Sequence, residues 1–246
     1  GKQARELFDN ANKLLNRIVN EKLLHANAVV GLFPANAVGD DVEIYTDEHR
    51  SRVLTTLHHL RQQKAREKKT HHACLSDFVA PKETKIPDYI GAFAVTAGIG
   101  IEQQVALFER DRDDYNIIMI KALADRMAEA FAEALHLKVR TELWGHAKSE
   151  NLTNEELIKE KYSGIRPAPG YPACPDHLEK GTLFQLLNAE KHTGIKLTES
   201  FAMYPAASVS GWYFSHPESF YFGVGRIDKD QVDDYAKRNN MSVADI

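Results

Sequence analysis

Gly-Ile-Arg-Pro-Ala-Pro-Gly-Tyr-Pro-Ala-Cys-Pro-Asp-His, residues 164–177, holds four prolines, Pro167, Pro169, Pro172 and Pro175. Each proline fixes its own φ and biases the residue before it toward extended backbone. A helix is excluded here and a ladder strand is disfavoured. The run therefore reads as a stiff, extended loop that leaves backbone N–H and C=O groups for a ligand. Arg166 stands at its entry, Tyr171 follows the flexible Gly170, and Asp176 and His177 close it.

Outward from this loop the chain is a mixture of helices and strands. Before it, residues 3–24 carry apolar positions at helical spacing, among them Leu7, Leu14, Leu15 and Ile18. An apolar run at 28–33 ending at Pro34 reads as a buried strand. Further strands are expected at 42–45, 52–57 and 87–96, with a turn at 39–41. From Ile101 to about Gly145 there is no proline and no interior glycine, and apolar residues recur at three and four. This predicts one or two long helices, broken near Asp111–Asp114. Thr153 and Glu156 have the spacing of a capping box for a short helix.

After the loop, 178–191 reads as a helix stopped at Gly194. Strands are expected at 197–203, 207–214 and 219–225, the last two as an antiparallel pair about His216-Pro217-Glu218. A helix at 229–239 follows, and Ser242 reads as another N-cap. Strands and helices come in unequal runs without βαβ alternation, so the expected class is α+β with a largely antiparallel sheet.

The 246 residues can bury a substantial core as one large or two small domains. Net charge is −4, which gives no overall basic footprint for nucleic acid. No apolar run reaches the roughly 20 residues that span a bilayer. No signal peptide is visible, and the two cysteines, Cys74 and Cys174, form neither a disulfide framework nor a zinc pattern. Free thiols in a reducing cytoplasm are the expectation. The adjacent pairs His58-His59 and His71-His72 point apart on a strand, and no His-Glu-x-x-His pattern occurs, so no metal site is expected.

Several stretches besides the proline loop form one collinear pattern: Val-Val-Gly-Leu-Phe-Pro-Ala-Asn (29–36), Val-Gly-Asp-Asp-Val-Glu-Ile-Tyr (38–45), His-His-Leu-Arg-Gln-Gln (58–63), Asp-Tyr-Ile-Gly-Ala-Phe-Ala-Val-Thr (88–96), Lys-Ala-Leu-Ala-Asp-Arg (121–126), and the run from Leu197 to Phe214. With these, the chain resembles the activation domain of cobalamin-dependent methionine synthase over essentially its whole length. The proline loop is similar to that family's signature loop for S-adenosylmethionine (AdoMet).

The resemblance implies one C-shaped domain, residues 1–246, around a twisted antiparallel sheet with long flanking helices. It also implies a fragment of a larger enzyme, truncated at both ends. The folate, homocysteine and cobalamin modules lie elsewhere, as does any zinc. The implied function is to bind AdoMet and support reductive remethylation of inactive cob(II)alamin. The implied partners are the cobalamin-binding domain of the same enzyme and flavodoxin or an equivalent flavoprotein, with neither nucleic acid nor membrane. No catalytic residue is implied, because cobalt is the nucleophile.

AdoMet carries a carboxylate, an ammonium, a sulfonium and an adenosine. By resemblance Arg166 is its carboxylate partner, and a guanidinium fork suits that role. Ala168 contributes backbone atoms to the nucleoside, and Tyr221, Phe222 and Glu129 are further AdoMet contacts. Tyr171 and His177 face the cobalamin. Read without the resemblance, Arg166 is a surface charge, Tyr221 and Phe222 are strand aromatics of a core, and Glu129 is a solvent-facing helix residue between small alanines.

Two other classes stay open at this point. Val95-Thr96-Ala97-Gly98-Ile99-Gly100 runs a strand into Gly-x-Gly before a helix, the beginning of a stand-alone Rossmann-type methyltransferase. The acidic strand end that should follow is replaced by a long helix. The basic stretch 61–72, with Arg61, Lys64, Arg66, Lys68 and Lys69, suits a ligand-free docking module for an acidic flavodoxin-like donor. As a lysine-rich segment it reads equally as a solvated loop.

Overall fold

A computed structural model describes residues 1–63 and 71–244. Helix α1 (Lys2–Glu21) is followed by strands β1 (His25–Val38), β2 (Asp41–Tyr45), β3 (Val53–His58) and β4 (Asp88–Ile99). Helices α2 (Ile101–Arg110), α3 (Asp114–Lys138) and α4 (Asn154–Ile158) precede the proline loop. After it come α5 (Glu179–Leu187), α6 (Ala189–Thr193), the two-residue strands β5 (Lys196–Leu197) and β6 (Met203–Tyr204), β7 (Ser208–Tyr213) and α7 (Lys229–Asn239). Five strands form one sheet in the order β3-β2-β1-β4-β7, and β5 pairs with β6 apart from it. The β1–β2 and β2–β3 pairs are antiparallel. The class is α+β with a mainly antiparallel sheet, as the unequal runs of elements predict.

The described chain forms two compact units. One comprises Gly1–Val29, Ala94–Leu137 and Leu187–Val209, and the other the remaining segments. The unit boundaries fall inside β1, β4 and β7 and at the last residues of α3 and α5.

In the first unit, α3 buries Ile120, Ala124, Ala128, Ala132 and His136. Steps of four keep these residues on one helix face. Ile120 and Met119 pack with Leu14 and Ile18 of α1. Ala124 and Ala128 pack with Ala97 of β4 and with Ala207, where short side chains let helix and strand come close. The expected break between the two long helices is present at Asp111–Asp113. The Asp113 carboxylate accepts the Asn116 N–H at 3.0 Å and caps α3.

In the second unit, Val42, Ile44 and Leu57 of the β2–β3 hairpin are fully buried. The Phe93 ring of β4 stacks on Tyr213 of β7 with centroids 4.6 Å apart. Phe78 sits among Phe214, Phe220 and Phe222, each within 6.4 Å ring to ring. Such aromatic contacts supply much of the burial energy of a core.

Several elements differ from the sequence expectation. Strand β1 continues through Pro34 to Val38, and its pairing with β2 begins one residue later, at Ala35 opposite Ile44. A proline lacks the N–H for a ladder, so it stands just outside that paired stretch. Strand β4 runs three residues beyond the expected end, to Ile99. The helix expected over 178–191 breaks at Asn188, which takes a left-handed φ of 48° between α5 and α6. The expected strand 197–203 is instead the two short arms β5 and β6.

Residues 219–225 form no strand, which corrects the expected hairpin about His216-Pro217-Glu218. That end of β7 is paired instead with the start of the proline loop, through the antiparallel bridge between Ile165 and Phe214. Val224 donates its N–H to Pro172 O at 2.9 Å, so this segment bonds to the loop rather than to β7. Thr153 and Glu156 form the expected capping box. No helix begins at Ser242 among the described residues, and residues 64–70 of the basic stretch lie outside them.

Candidate functional site

The proline loop begins as a short strand on the edge of β7. Ile165 and Phe214 exchange both backbone bonds at 3.0 Å, and Trp212 N–H donates to Pro167 O at 2.9 Å. Pro167 cannot return a bond, so the ladder stops there. Alternation then turns the N–H groups of Arg166 and Ala168 away from β7. The Arg166 N–H is received by the Tyr221 hydroxyl at 3.0 Å.

Beyond Pro167 the loop is two successive turns, more tightly bonded than the extended, open segment read from its prolines. Tyr171 N–H donates to Ala168 O at 3.1 Å across Pro169-Gly170, with Gly170 at φ 94°. Proline then glycine at the centre of a turn matches type II chemistry. Cys174 N–H donates to Tyr171 O at 2.9 Å, and Gly170 N–H to Cys174 O at 2.7 Å. Asp176 Oδ1 accepts the Leu178 N–H at 2.8 Å and starts α5.

Turn and cap leave Tyr171, Pro172 and His177 exposed. Tyr171 is 63% exposed. His177 is also exposed, with its ring lying directly over Gly170, where a Cβ would fall 2.8 Å from Nδ1. Lys180 Nζ lies 3.1 Å from the same Nδ1. An ammonium at Lys180 has only donors, so Nδ1 is the acceptor in that contact. Burial lowers the Lys180 pKa.

Tyr221 and Phe222 lie beside the loop although they are not in a strand. Phe222 is 8% exposed and belongs to the Phe78 aromatic cluster, whereas Tyr221 is 37% exposed. Arg166 and Ala168 are half-buried. Arg166, Ala168, Tyr171, His177, Tyr221 and Phe222 all belong to the second unit. Glu129 belongs to the first unit, on the exposed side of α3. Its neighbour Ala128 is used for core packing, so that small residue is not ligand space.

Under the end of the loop lies a buried ionic group that the sequence reading did not single out. Tyr235 of α7 donates to Asp176 Oδ2 at 2.8 Å. Asp41 of β2 receives Arg238 of α7 and lies 3.1 Å from His58 Nδ1 of β3. Burial alone would raise the Asp41 pKa, but His58 and Arg238 outweigh it and lower it. Glu179 accepts the His58 N–H at 2.9 Å, and burial pushes its pKa up to about 7. Burial holds His59 down at about 4. No periodicity in the sequence announces this group, because its members come from β2, β3, α5 and α7.

The Gly-x-Gly of the methyltransferase alternative has a packing explanation. A Cβ on Gly98 would lie 2.7 Å from Pro205 Cβ and 3.1 Å from Ala207 Cβ, so the glycine lets those residues reach β4. Pro205 also lines a groove of about 560 Å³ with Ile101, Glu102, Val105, Asp125 and Tyr204. Among the described residues no three His, Cys, Asp or Glu side chains gather as a metal site. Among the same residues no helix is long and apolar enough to cross a membrane.

The loop thus joins a half-buried arginine, the outward N–H of Ala168, a partly exposed tyrosine face and an exposed aromatic tip. A ligand carrying both a carboxylate and a cation finds complementary groups there. A crystal structure of the MetH reactivation domain bound to AdoHcy is similar to this chain at 60% identity and a TM-score of 0.96, covering 100% of this chain and 75% of that one. Residues 1–240 match the family described as vitamin B12 dependent methionine synthase, activation domain. The chain belongs to the activation-domain family of vitamin B12-dependent methionine synthases.

Proposed function

We propose that this chain binds AdoMet on the 166–177 loop and presents its methyl group to a cobalamin-carrying domain of the same enzyme, returning inactive cobalamin to the methylated state. The observation that carries this reading is the likeness along the whole chain to a reactivation domain holding AdoHcy. AdoHcy is what remains of AdoMet once its methyl is gone.

The residues present fit that ligand. The Arg166 guanidinium pairs with the carboxylate through two parallel N–H bonds. Ala168 offers an N–H directed away from β7 to the nucleoside. The Tyr221 ring attracts the sulfonium by about 0.5–2 kcal/mol. Four prolines and the bonded turns hold these groups in place before the ligand arrives, which reduces the ordering cost of binding. Exposed Tyr171 and His177 give the incoming domain an aromatic, polar surface.

When bound in its own domain, cobalamin supplies the cobalt that accepts the methyl after one-electron reduction. In that transfer the methyl–sulfur bond would break with its electron pair left on sulfur, the reduced cobalt would supply the pair of the new bond to the methyl, and a neutral thioether would remain. No proton moves, so the chain needs no general base. Its contribution is to position and hold the donor, which lowers the entropic part of the barrier. The electron comes from flavodoxin or an equivalent flavoprotein. Alone, the chain lacks a methyl acceptor and does not turn over.

Reconstitution tests the reading. The chain is mixed with a cobalamin domain in the cob(II)alamin state, AdoMet and reduced flavodoxin, and the absorption of methylcobalamin is followed. Methylcobalamin should form only when the chain is present. Equal formation without the chain, or methylation of small thiols by the chain alone, contradicts it.

A further inference from the structure

Helix α3 ends in a π turn, Val139–Leu143, and this turn places Arg140 in the interior of the second unit. The arginine has no exposed side-chain surface, and its partner Glu150 is 7% exposed. Arg140 Nη2 donates to Glu150 Oε1 at 2.6 Å, and Nε donates at 3.1 Å. Its Nη1 has no hydrogen-bond partner among the described residues. The guanidinium instead lies over the ring of Tyr162, 4.4 Å from the centroid. The Tyr162 hydroxyl is 3.0 Å from the Tyr221 hydroxyl, which accepts the Arg166 N–H. A continuous series of contacts therefore runs from a buried ion pair to the mouth of the proline loop.

A buried ion pair is a poor way to gain stability, since apolar residues of equal volume often do as well. What it provides here is a fixed plane against which Tyr162 is held. π turns inside α-helices also recur at functional sites. We infer that Tyr162, held by Arg140, is a positioning residue for AdoMet recognition: it donates its hydroxyl hydrogen to Tyr221. The Tyr221 oxygen then accepts from both Tyr162 and Arg166, and its own hydrogen is directed to the open side of the site, where a ligand acceptor such as a carboxylate is received. This inference rests on the AdoMet reading above and assigns that site a residue which does not touch the ligand.

The test is a thermodynamic cycle on the whole chain, with AdoMet and AdoHcy each titrated by calorimetry into wild type, Tyr162→Phe, Tyr221→Phe and the double variant. Tyr162→Phe should weaken binding about three- to ten-fold, the range of one lost hydrogen bond. In the Tyr221→Phe background the same change should alter the Kd by less than about two-fold, because a residue acting through Tyr221 cannot add to its loss. Titrations are run well below the melting temperature of each variant, so a stability change does not enter the Kd. An unchanged Kd in Tyr162→Phe, or an equal weakening in both backgrounds, overturns the inference while leaving AdoMet binding intact. A wild-type chain that binds neither compound overturns the AdoMet reading itself.

Discussion

Tyr235 donates its hydroxyl hydrogen to Asp176 Oδ2 at 2.8 Å, tying helix α7 to the last residues of the proline loop. The other carboxylate oxygen caps α5 through the Leu178 N–H. Removing the hydroxyl by Tyr235→Phe leaves a half-buried carboxylate with one bond fewer. Chemical denaturation should show a loss of about 1–2 kcal/mol, and AdoMet should bind less tightly because the end of its loop is released. Unchanged stability and affinity would show that the bond does not hold the loop.

Glu179 gives a signed pH prediction. Burial raises its pKa from the ordinary 4.5 to about 7 in the folded chain. The folded state therefore keeps a proton that the unfolded chain gives up between those values, so its contribution is full below about pH 4.5 and is lost as pH rises through 7. The amount is on the order of 3 kcal/mol. His59 acts in the opposite sense: its contribution is present above 6.5 and lost as pH falls through about 4. Because the two overlap, Glu179→Gln is measured against wild type from pH 4 to 8. The variant should gain on wild type as pH rises from 4.5 to 7, and a constant difference across that range would place the Glu179 pKa elsewhere.

Gly170→Ala tests the turn. The residue sits at φ 94°, and any Cβ there collides with the His177 ring. Left-handed strain of about 1–2 kcal/mol adds to displacement of His177 from Lys180. Melting temperature should fall by about 2–8 °C, in line with that strain, and AdoMet affinity should fall with it as the turn and the His177 ring shift. Unaltered affinity would mean that the 168–171 turn is not part of the binding surface.

Gly98→Val separates the two AdoMet-binding classes. Its new side chain meets Pro205 and Ala207, so overpacking should cost about 1–3 kcal/mol of stability. Folded variant should bind AdoMet as wild type does. Loss of binding in a variant that melts like the parent would favour a Rossmann-type site at that turn.

The parts legible in the sequence were those set by local chemistry. Four prolines forbid a helix at 164–177, Thr153 and Glu156 announce their cap, and three- and four-residue spacing marks α1, α2 and α3. Tyr221 is partly exposed and Phe222 buried, but no strand forms there, so their division comes from the aromatic cluster about Phe78 and not from strand alternation. That strand does not form because the edge of β7 is taken by Ile165–Pro167, far away in sequence, and no local pattern records such competition. The break at Asn188 depends on a left-handed backbone that asparagine permits but does not require. Arg140 reads as an ordinary charge on a long helix until the π turn carries it inside. Tyr162, Tyr235 and Glu179 have roles set entirely by partners from other elements.

Arg166 at the mouth of the proline loop should receive the carboxylate of AdoMet. Calorimetric titration of wild type and Arg166→Ala with AdoMet decides this. Wild type should bind one equivalent, and the variant should bind more weakly by about 2–4 kcal/mol, the cost of removing one partner of a desolvated ion pair. Equal affinities in the two proteins would contradict the claim and take Arg166 out of the site.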